Sequence, residues 1–285
     1  MLKNIQKKPQ LTIISDTNIY SNNHMYVFEP VLREINSISH LFSHINWLGF
    51  ISRKSIPKNA KKTISENVKI MVVNPCGGDN IIKKLLVLFY IPYYILNIIK
   101  ILNGSNIVHI RGPSIPALIT IILSFFYPQK IFWHKYAGNW QINSKTLTYR
   151  LQKFLLKKNI PGNVIVSKRN IFDPPHILSF ENPCLTEKEL IANNISGLNK
   201  NYNSKWTFCF IGRLEEEKGF SSLMDVIVKL YKSDWFCKLH CVGDGSEREK
   251  YEKILSKNYK NIIFHGIIDR YELDKIYRDS HFIIL

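Results

Sequence analysis

Residues Trp206 to Phe220, WTFCFIGRLEEEKGF, run from an apolar, partly aromatic segment into a glycine, a basic residue, three acids and a second basic residue with its own glycine. Phe208 to Ile211 has the length and composition of a buried parallel strand, and Gly212 punctuates its carboxyl end. From Gly219 onward Phe220, Leu223, Val226, Ile227 and Leu230 recur at helical spacing, so Arg213 and Lys218 flank a strand-to-helix connection. Open α/β sheets bind ligands outside the carboxyl ends of their strands. A planar guanidinium grips two phosphate oxygens at once and an ammonium adds a mobile point charge, so the pair suits a diphosphate. Taken without its surroundings, the same pair reads first as one that answers Glu215, Glu216 and Glu217 across a solvated turn.

The following sequence repeats the rhythm. KLHCVGDGSEREKYEKIL is a strand ending in Gly243-Asp244-Gly245 that opens a charged amphipathic helix, and NIIFHGIIDRYELDKIYRDSHFIIL reads strand, glycine, helix, strand. The order GRL…EKG, VGDG, an F-x-G after a strand and EL…Y…S before another strand resembles the carboxyl-terminal domain of family 4 (group 1) glycosyltransferases of the GT-B fold, over Thr207 to Leu285. The resemblance implies two Rossmann-type doubly wound parallel-sheet domains. Residues 1–181 would form an acceptor-side domain, 182–204 a linker rich in Asn and Ser, and 205–285 a partial nucleotide-sugar-binding domain. It implies transfer of a sugar from a nucleotide diphosphate sugar, with the anomeric configuration retained and without a metal cofactor. The acceptor would be lipid-linked or a polysaccharide, in cell-surface glycan synthesis. Arg213 and Lys218 would be catalytic, stabilising charge on the leaving β-phosphate. Gly212, Gly243, Asp244 and Gly245 would approach the nucleotide, with Gly266 and Ile267 beside its base.

In that family the strand equivalent to HFIIL precedes a helix with two glutamates that hold the donor. None follows here, so the expectation is a chain truncated at its carboxyl end, either a fragment or a product with weakened donor binding. Two other readings stay open: a nucleotide-sugar epimerase of similar architecture, and a non-catalytic membrane- or partner-binding remnant of the fold.

The 285 residues suffice for two domains, and 45% hydrophobic content is ample for their cores. Lys and Arg total 39 against 22 acids, a formal +17 that implies an anionic partner. No zinc-finger or RNP-like pattern accompanies it, so nucleic acid is not expected. Cys76, Cys184, Cys209, Cys237 and Cys241 form no CxxC pair and read as reduced residues. The apolar stretch in MLKNIQKKPQLTIIS is too short for a signal peptide and reads instead as a first strand, Leu11 to Ser15, ending in Asp16.

A polar stretch, DTNIYSNNHM, then leads to a helical pattern in MYVFEPVLREI. Asn22, Asn23 and His24 occupy the place of the family's glycine-rich loop, which makes them sugar-contact candidates; a turn with a helix cap is the alternative. HINWLGFIS and NVKIMVVNP read as strands around an exposed basic loop, SRKSIPKNAKKTISE. Leu85 to Ile99 is uncharged and aromatic-rich, short of the twenty residues a membrane span needs. Its position before the strand NIVHIRGPS makes it a crossover helix packed on the sheet, with partial insertion into a membrane surface as the second reading.

VHIRGPS followed by WHKYAGNW resembles the acceptor domain of polysaccharide-assembling members of the same family, which places His134 at a sugar-contacting position with Lys135 beside it. Arg111 would meet a phosphate or pair with a nearby acid. The helix in SKTLTYRLQKFLLKK is basic and amphipathic, with Leu147, Leu151, Phe154 and Leu155 on one face. Such a helix is either an ordinary surface helix or one that lies on anionic lipid. The sequence thus points to a cytoplasmic protein, peripheral at the inner face of the membrane, whose partners are a nucleotide sugar, a glycan or lipid-linked acceptor and an anionic membrane surface.

Overall fold

The computed structural model describes residues 8–63, 65–77, 81–142, 146–181, 185–202 and 205–284. Lys145 of the basic helix and the Asn182-Pro183-Cys184 stretch of the expected linker lie outside them. Two compact units emerge, one of residues 1–56 with 60–184 and one of 57–59 with 185–285.

The parallel strands of the first unit are β1 (Gln10–Asn22), β3 (His44–Ser52), β5 (Val68–Val73), β6 (Ile107–Gly112), β7 (Ile131–Tyr136), β8 (Asn163–Val166) and β9 (Ile177–Ser179), in the spatial order β5-β3-β1-β6-β7-β8-β9. Helix α1 (Glu29–Ser39) packs Leu32 and Ile35 with Leu11, Ile13 and Trp47 in one apolar core. Helices α2 (Ile81–Leu102), α3 (Ile115–Ser124) and α4 (Leu147–Leu156) contribute Tyr94, Ile98, Ile119 and Leu156 to another, shared with Ile14, Leu48, Val108 and Phe132. Adjacent residues of β1, Ile13 and Ile14, thus enter different cores, as the period of two requires of a sheet covered on both faces.

The first strand is longer than its sequence suggests. At Ser15 to Thr17 its register against β3 shifts, and the chain then continues as strand to Asn22. The Ser15 hydroxyl accepts from the Trp47 indole N–H (2.9 Å) and the Thr17 amide (3.3 Å) and donates to the Leu48 carbonyl (3.2 Å), so one side chain partners three groups at the irregularity. Gly49 faces it, where an added Cβ would lie 2.9 Å from the Thr17 carbonyl oxygen. The extension turns at Asn23, in the left-handed region at φ 56°, and pairs antiparallel with β2 (His24–Phe28), which pairs in turn with β4 (Ala60–Lys62). The expected strand-loop-helix is therefore a β-hairpin, and the expected basic loop contributes a strand.

His134 is a correction. It is 1% exposed on β7, with its ring beside Phe132, and no sugar can reach it in this structure. Its Nε2–H donates to the Pro161 carbonyl at 2.9 Å, while Nδ1 has no partner. His109, fully buried on β6, has the same arrangement: Nδ1 meets the Trp133 carbonyl at 3.3 Å and Nε2 is bare. A carbonyl only accepts, so the bonded nitrogen carries the hydrogen and the ring is neutral. Protonation would place a second N–H in an apolar core; burial lowers the pKa of His134 to about 4 and that of His109 well below its ordinary value.

The second unit contains helix α5 (Glu187–Leu198), inside the stretch expected as linker, and a four-stranded parallel sheet in the order β12-β11-β10-β13. These strands are β10 (Trp206–Ile211), β11 (Phe236–Val242), β12 (Ile262–Gly266) and β13 (Phe282–Ile284). Helices α6 (Phe220–Leu230) and α7 (Arg248–Asn258) cover the face of Phe208 and Phe210, and α8 (Arg270–Asp279) covers that of Cys209 and Ile211. A capping box of Thr186 and Glu189 starts α5, and one of Asp269 and Glu272 starts α8.

The core histidines predict an acid sensitivity. In the unfolded chain His134 binds a proton below about pH 6.5, in the folded protein only near 4, so stability falls as pH drops through that window, by on the order of 3 kcal/mol for this residue. Urea unfolding between pH 7 and 4.5 should show the loss, and His134→Gln should flatten it.

Candidate functional site

Each sheet reverses its winding once. In the second unit the chain moves outward from β10 to β11 and β12, then returns through α8 to β13 on the other side of β10. The crevice at such a switch point, beyond the carboxyl ends of the two strands, is where α/β sheets bind ligands. Gly212 and Arg213 directly follow β10 there.

The rim is built on glycines. Gly212 donates its amide to the Val242 carbonyl (3.0 Å), and Gly243 donates its own to the Gly266 carbonyl (2.9 Å). A Cβ on Gly243 (φ +126°) would stand 1.8 Å from the Gly212 oxygen, and one on Gly245 would stand 2.4 Å from the Leu214 oxygen. These glycines therefore allow two loops to meet, because side chains would hold them apart. The buried Leu214 completes the junction by donating to the Asp244 carbonyl and accepting from the Glu247 amide, each at 3.0 Å. Asp244 is exposed and faces Arg248, whose Nη1 lies 3.4 Å from its Oδ2. The same guanidinium leans on Gly266, where a Cβ would be 2.8 Å from Nη1, and Ile267 beyond it is exposed. Arg248 was not among the sequence candidates. Its signal was only a basic residue four positions after Asp244, a spacing common on any charged helix.

Arg213 stands on this rim with 61% of its side chain exposed and pairs with Glu215 at 2.7 Å. Lys218 ends a single 3₁₀ turn, Glu216–Lys218, and is exposed; Gly219 follows at φ 72° and starts α6. The connection thus holds both cations in water, on a backbone fixed by the glycine junction.

In the first unit the winding reverses between β1 and β6. Arg111 on β6 and Lys135 on β7, paired residues of adjacent strands, both reach Oε1 of Glu34 on α1 at 2.7 Å. All three are nearly buried. Burial works against the Glu34 carboxylate, yet the two cations outweigh it and hold its pKa below the ordinary value. Arg111 thus takes the acid-pairing arrangement, with an acid that the sequence reading did not single out, since Glu34 lies in a helix among other polar residues. Lys135 also stands over the Phe180 ring. Asn22, Asn23 and His24 form the exposed tip of the β1–β2 hairpin, outside this cluster.

Among the described residues no group of three or more His, Cys, Asp or Glu is arranged to hold a metal ion. The free thiols include Cys241, whose pKa burial pushes up to about 12. An open cavity of ≈ 670 Å³ lies at the opposite, amino edge of the second sheet, lined by Lys200, Arg278, Asp279 and His281 among others. It is remote from the glycine rim.

Because Arg111 and Lys135 share one nearly buried carboxylate, Glu34→Gln should destabilise the first unit by about 3 kcal/mol or more, read by thermal unfolding, while Arg213→Gln leaves stability within about 0.5 kcal/mol.

Residues 193–285 match the family described as glycosyl transferases group 1. Comparison with curated protein sequences finds no match. Among solved structures, sucrose-phosphate synthase from Thermosynechococcus elongatus is similar over 96% of this chain and 74% of its own, at 15% identity and a TM-score of 0.62. A putative UDP-N-acetylglucosamine 2-epimerase from Listeria monocytogenes is similar over 98% and 74%, at 12% identity and a TM-score of 0.56. The Anabaena protein Alr3699/HepE in complex with UDP-glucose is similar over 91% and 69%, at 10% identity and a TM-score of 0.55. The chain has the GT-B fold, and within it residues 193–285 are similar to the glycosyl transferases of group 1.

Proposed function

We propose that the protein moves a sugar from a nucleotide diphosphate sugar to a lipid-linked or polysaccharide acceptor, with retention of configuration and without a metal, in cell-surface glycan synthesis. The observation that carries the reading is Arg213, exposed at the switch point of the group 1 domain on a backbone locked by glycine contacts. Its partner Glu215 offers one carboxylate in water, an interaction worth about 0–1 kcal/mol, so a diphosphate displaces it readily. Arg213 then holds two phosphate oxygens and Lys218 a third. Their attraction grows as the sugar–oxygen bond breaks and charge collects on the β-phosphate, which lowers the barrier. Gly212, Gly243, Asp244 and Gly245 shape the floor beneath the nucleotide, Gly266 and Ile267 lie beside its base, and Arg248 adds a third cation.

The polar hairpin tip of Asn22, Asn23 and His24 is the sugar-side candidate of the first unit. Arg111 and Lys135 act through Glu34 as positioning residues at the carboxyl edge. A nucleotide-sugar epimerase shares the fold, but the group 1 match over 193–285 favours transfer. We read the enzyme as cytoplasmic and peripheral at the inner membrane face, a reading that its formal +17 supports. Among the described residues no helix is long and apolar enough to cross a membrane.

Turnover of nucleotide diphosphate sugars with lipid-linked acceptors tests the proposal. Arg213→Ala and Lys218→Ala should each lower kcat/KM by about 10²-fold or more and weaken nucleotide diphosphate binding in calorimetry, and a chelator should leave the rate unchanged. Unaltered turnover and affinity in both variants would sink the phosphate assignment.

A further inference from the structure

The three helices on one face of the first sheet are apolar in the wrong place. Along α2 the outward stripe is Leu86, Phe89, Tyr93 and Leu96, spaced three and four apart, with Phe89 80% exposed; Tyr94 and Ile98 fill the core on the other side. A helix apolar all round is buried within a protein or set in a membrane. Helix α4 is reversed outright. It buries Gln152, Lys153 and Leu156, and turns Leu147 (75% exposed), Leu151 and Phe154 outward. The inward polar groups are provided for, since Gln152 accepts from the Ser114 amide (3.1 Å) and Lys153 lies over the Trp140 ring (5.3 Å). Helix α3 packs against both α2 and α4 and exposes Ile122, with Phe125 and Phe126 just past its end. The three stripes therefore belong to neighbouring helices of one layer.

Charge identifies what covers them. Between Asp79 and Asp173 the sequence has no Asp or Glu, but ten Lys and three Arg; Arg111 and Lys135 are taken up by Glu34, Lys157 by Asp173, and Lys153 is buried. Lys100 continues the outward stripe of α2, Arg150 is exposed on α4, and Lys158 just beyond α4 places its ammonium 4.9 Å from the Phe154 ring centre. Cations beside apolar and aromatic side chains, on helices that carry no acid of their own, match the interface of an anionic bilayer, where rings sit at headgroup depth and ammonium groups meet lipid phosphates. A second copy of the chain would bring the same positive surface against itself.

We infer that the outward faces of α2, α3 and α4 dock on an anionic lipid bilayer. The inference rests on the peripheral placement proposed above and gives it a surface. The test is co-sedimentation of the full chain with phosphatidylcholine vesicles containing or lacking 30–40% phosphatidylglycerol, about the range in which surface charge recruits basic proteins. Binding is expected with the anionic vesicles, weakening in 0.5 M salt at roughly a 4 Å screening length. Phe89→Ser/Leu96→Ser and Leu151→Ser/Phe154→Ser should each cut partitioning by about tenfold or more, and Lys100→Glu/Arg150→Glu by about tenfold. These positions are exposed, so circular dichroism and nucleotide diphosphate binding should remain those of the parent. Loss of vesicle binding with retained nucleotide binding separates the surface from the donor site. Equal binding by the parent and the apolar variants, or light scattering that shows a dimer dispersed by Phe89→Ser/Leu96→Ser, would overturn the inference.

Discussion

A strand–helix–strand crossover between parallel strands is right-handed, so a chain that covers both faces of a sheet must start from an inner strand and reverse once. Much of this molecule follows from that constraint. The reversal falls between β1 and β6 in the first unit and between β10 and β13 in the second. At each, the loops leaving the two strands diverge to opposite faces, which is where open α/β sheets hold their ligands. Charged residues of both units gather at that edge: Arg213 in the second, Arg111 with Glu34 in the first. The fold does not choose their chemistry, but it decides where chemistry has room.

The two sites use charge in opposite ways. Arg213 is paired in water, where an ion pair is weak and exchangeable, so its role is open to a ligand. Arg111 and Lys135 share a nearly buried Glu34, where removing one partner is costly and exchange is correspondingly hard. An exposed pair is a poor structural element and a good anion receptor; a buried triad is the reverse. That difference divides candidates that look alike in sequence, since each is a basic residue at the end of a strand.

The second unit was legible because its signals are local. A glycine after an apolar run, then helical spacing, is fixed by backbone sterics within a few residues, and Gly212, Gly243 and Gly266 fall where that pattern puts them. The β1 extension was not legible: Asp16, Thr17 and Asn18 are poor strand residues, and only the Ser15–Trp47–Leu48 hydrogen bonds and the gap at Gly49 carry the chain through. These partners are more than thirty residues away. His134 failed for a related reason. Alternation along β7 gives it a face, but whether that face is solvent or core depends on Pro161 and on the helices packed behind it.

Helix α4 shows the same limit more sharply. Periodicity correctly places Leu147, Leu151 and Phe154 on one side, yet a hydrophobic stripe records only that this side avoids water. It does not say what replaces the water. Within a folded chain the usual answer is the core, but here the core already has Leu156, and Gln152 and Lys153 have partners inside it. Turning the helix over to bury its apolar stripe would expose Leu156 and break the Ser114–Gln152 hydrogen bond that ties α4 to the start of α3. The orientation is thus held by polar contacts beneath the helix, and the apolar stripe remains outside for a partner that the sheet does not supply.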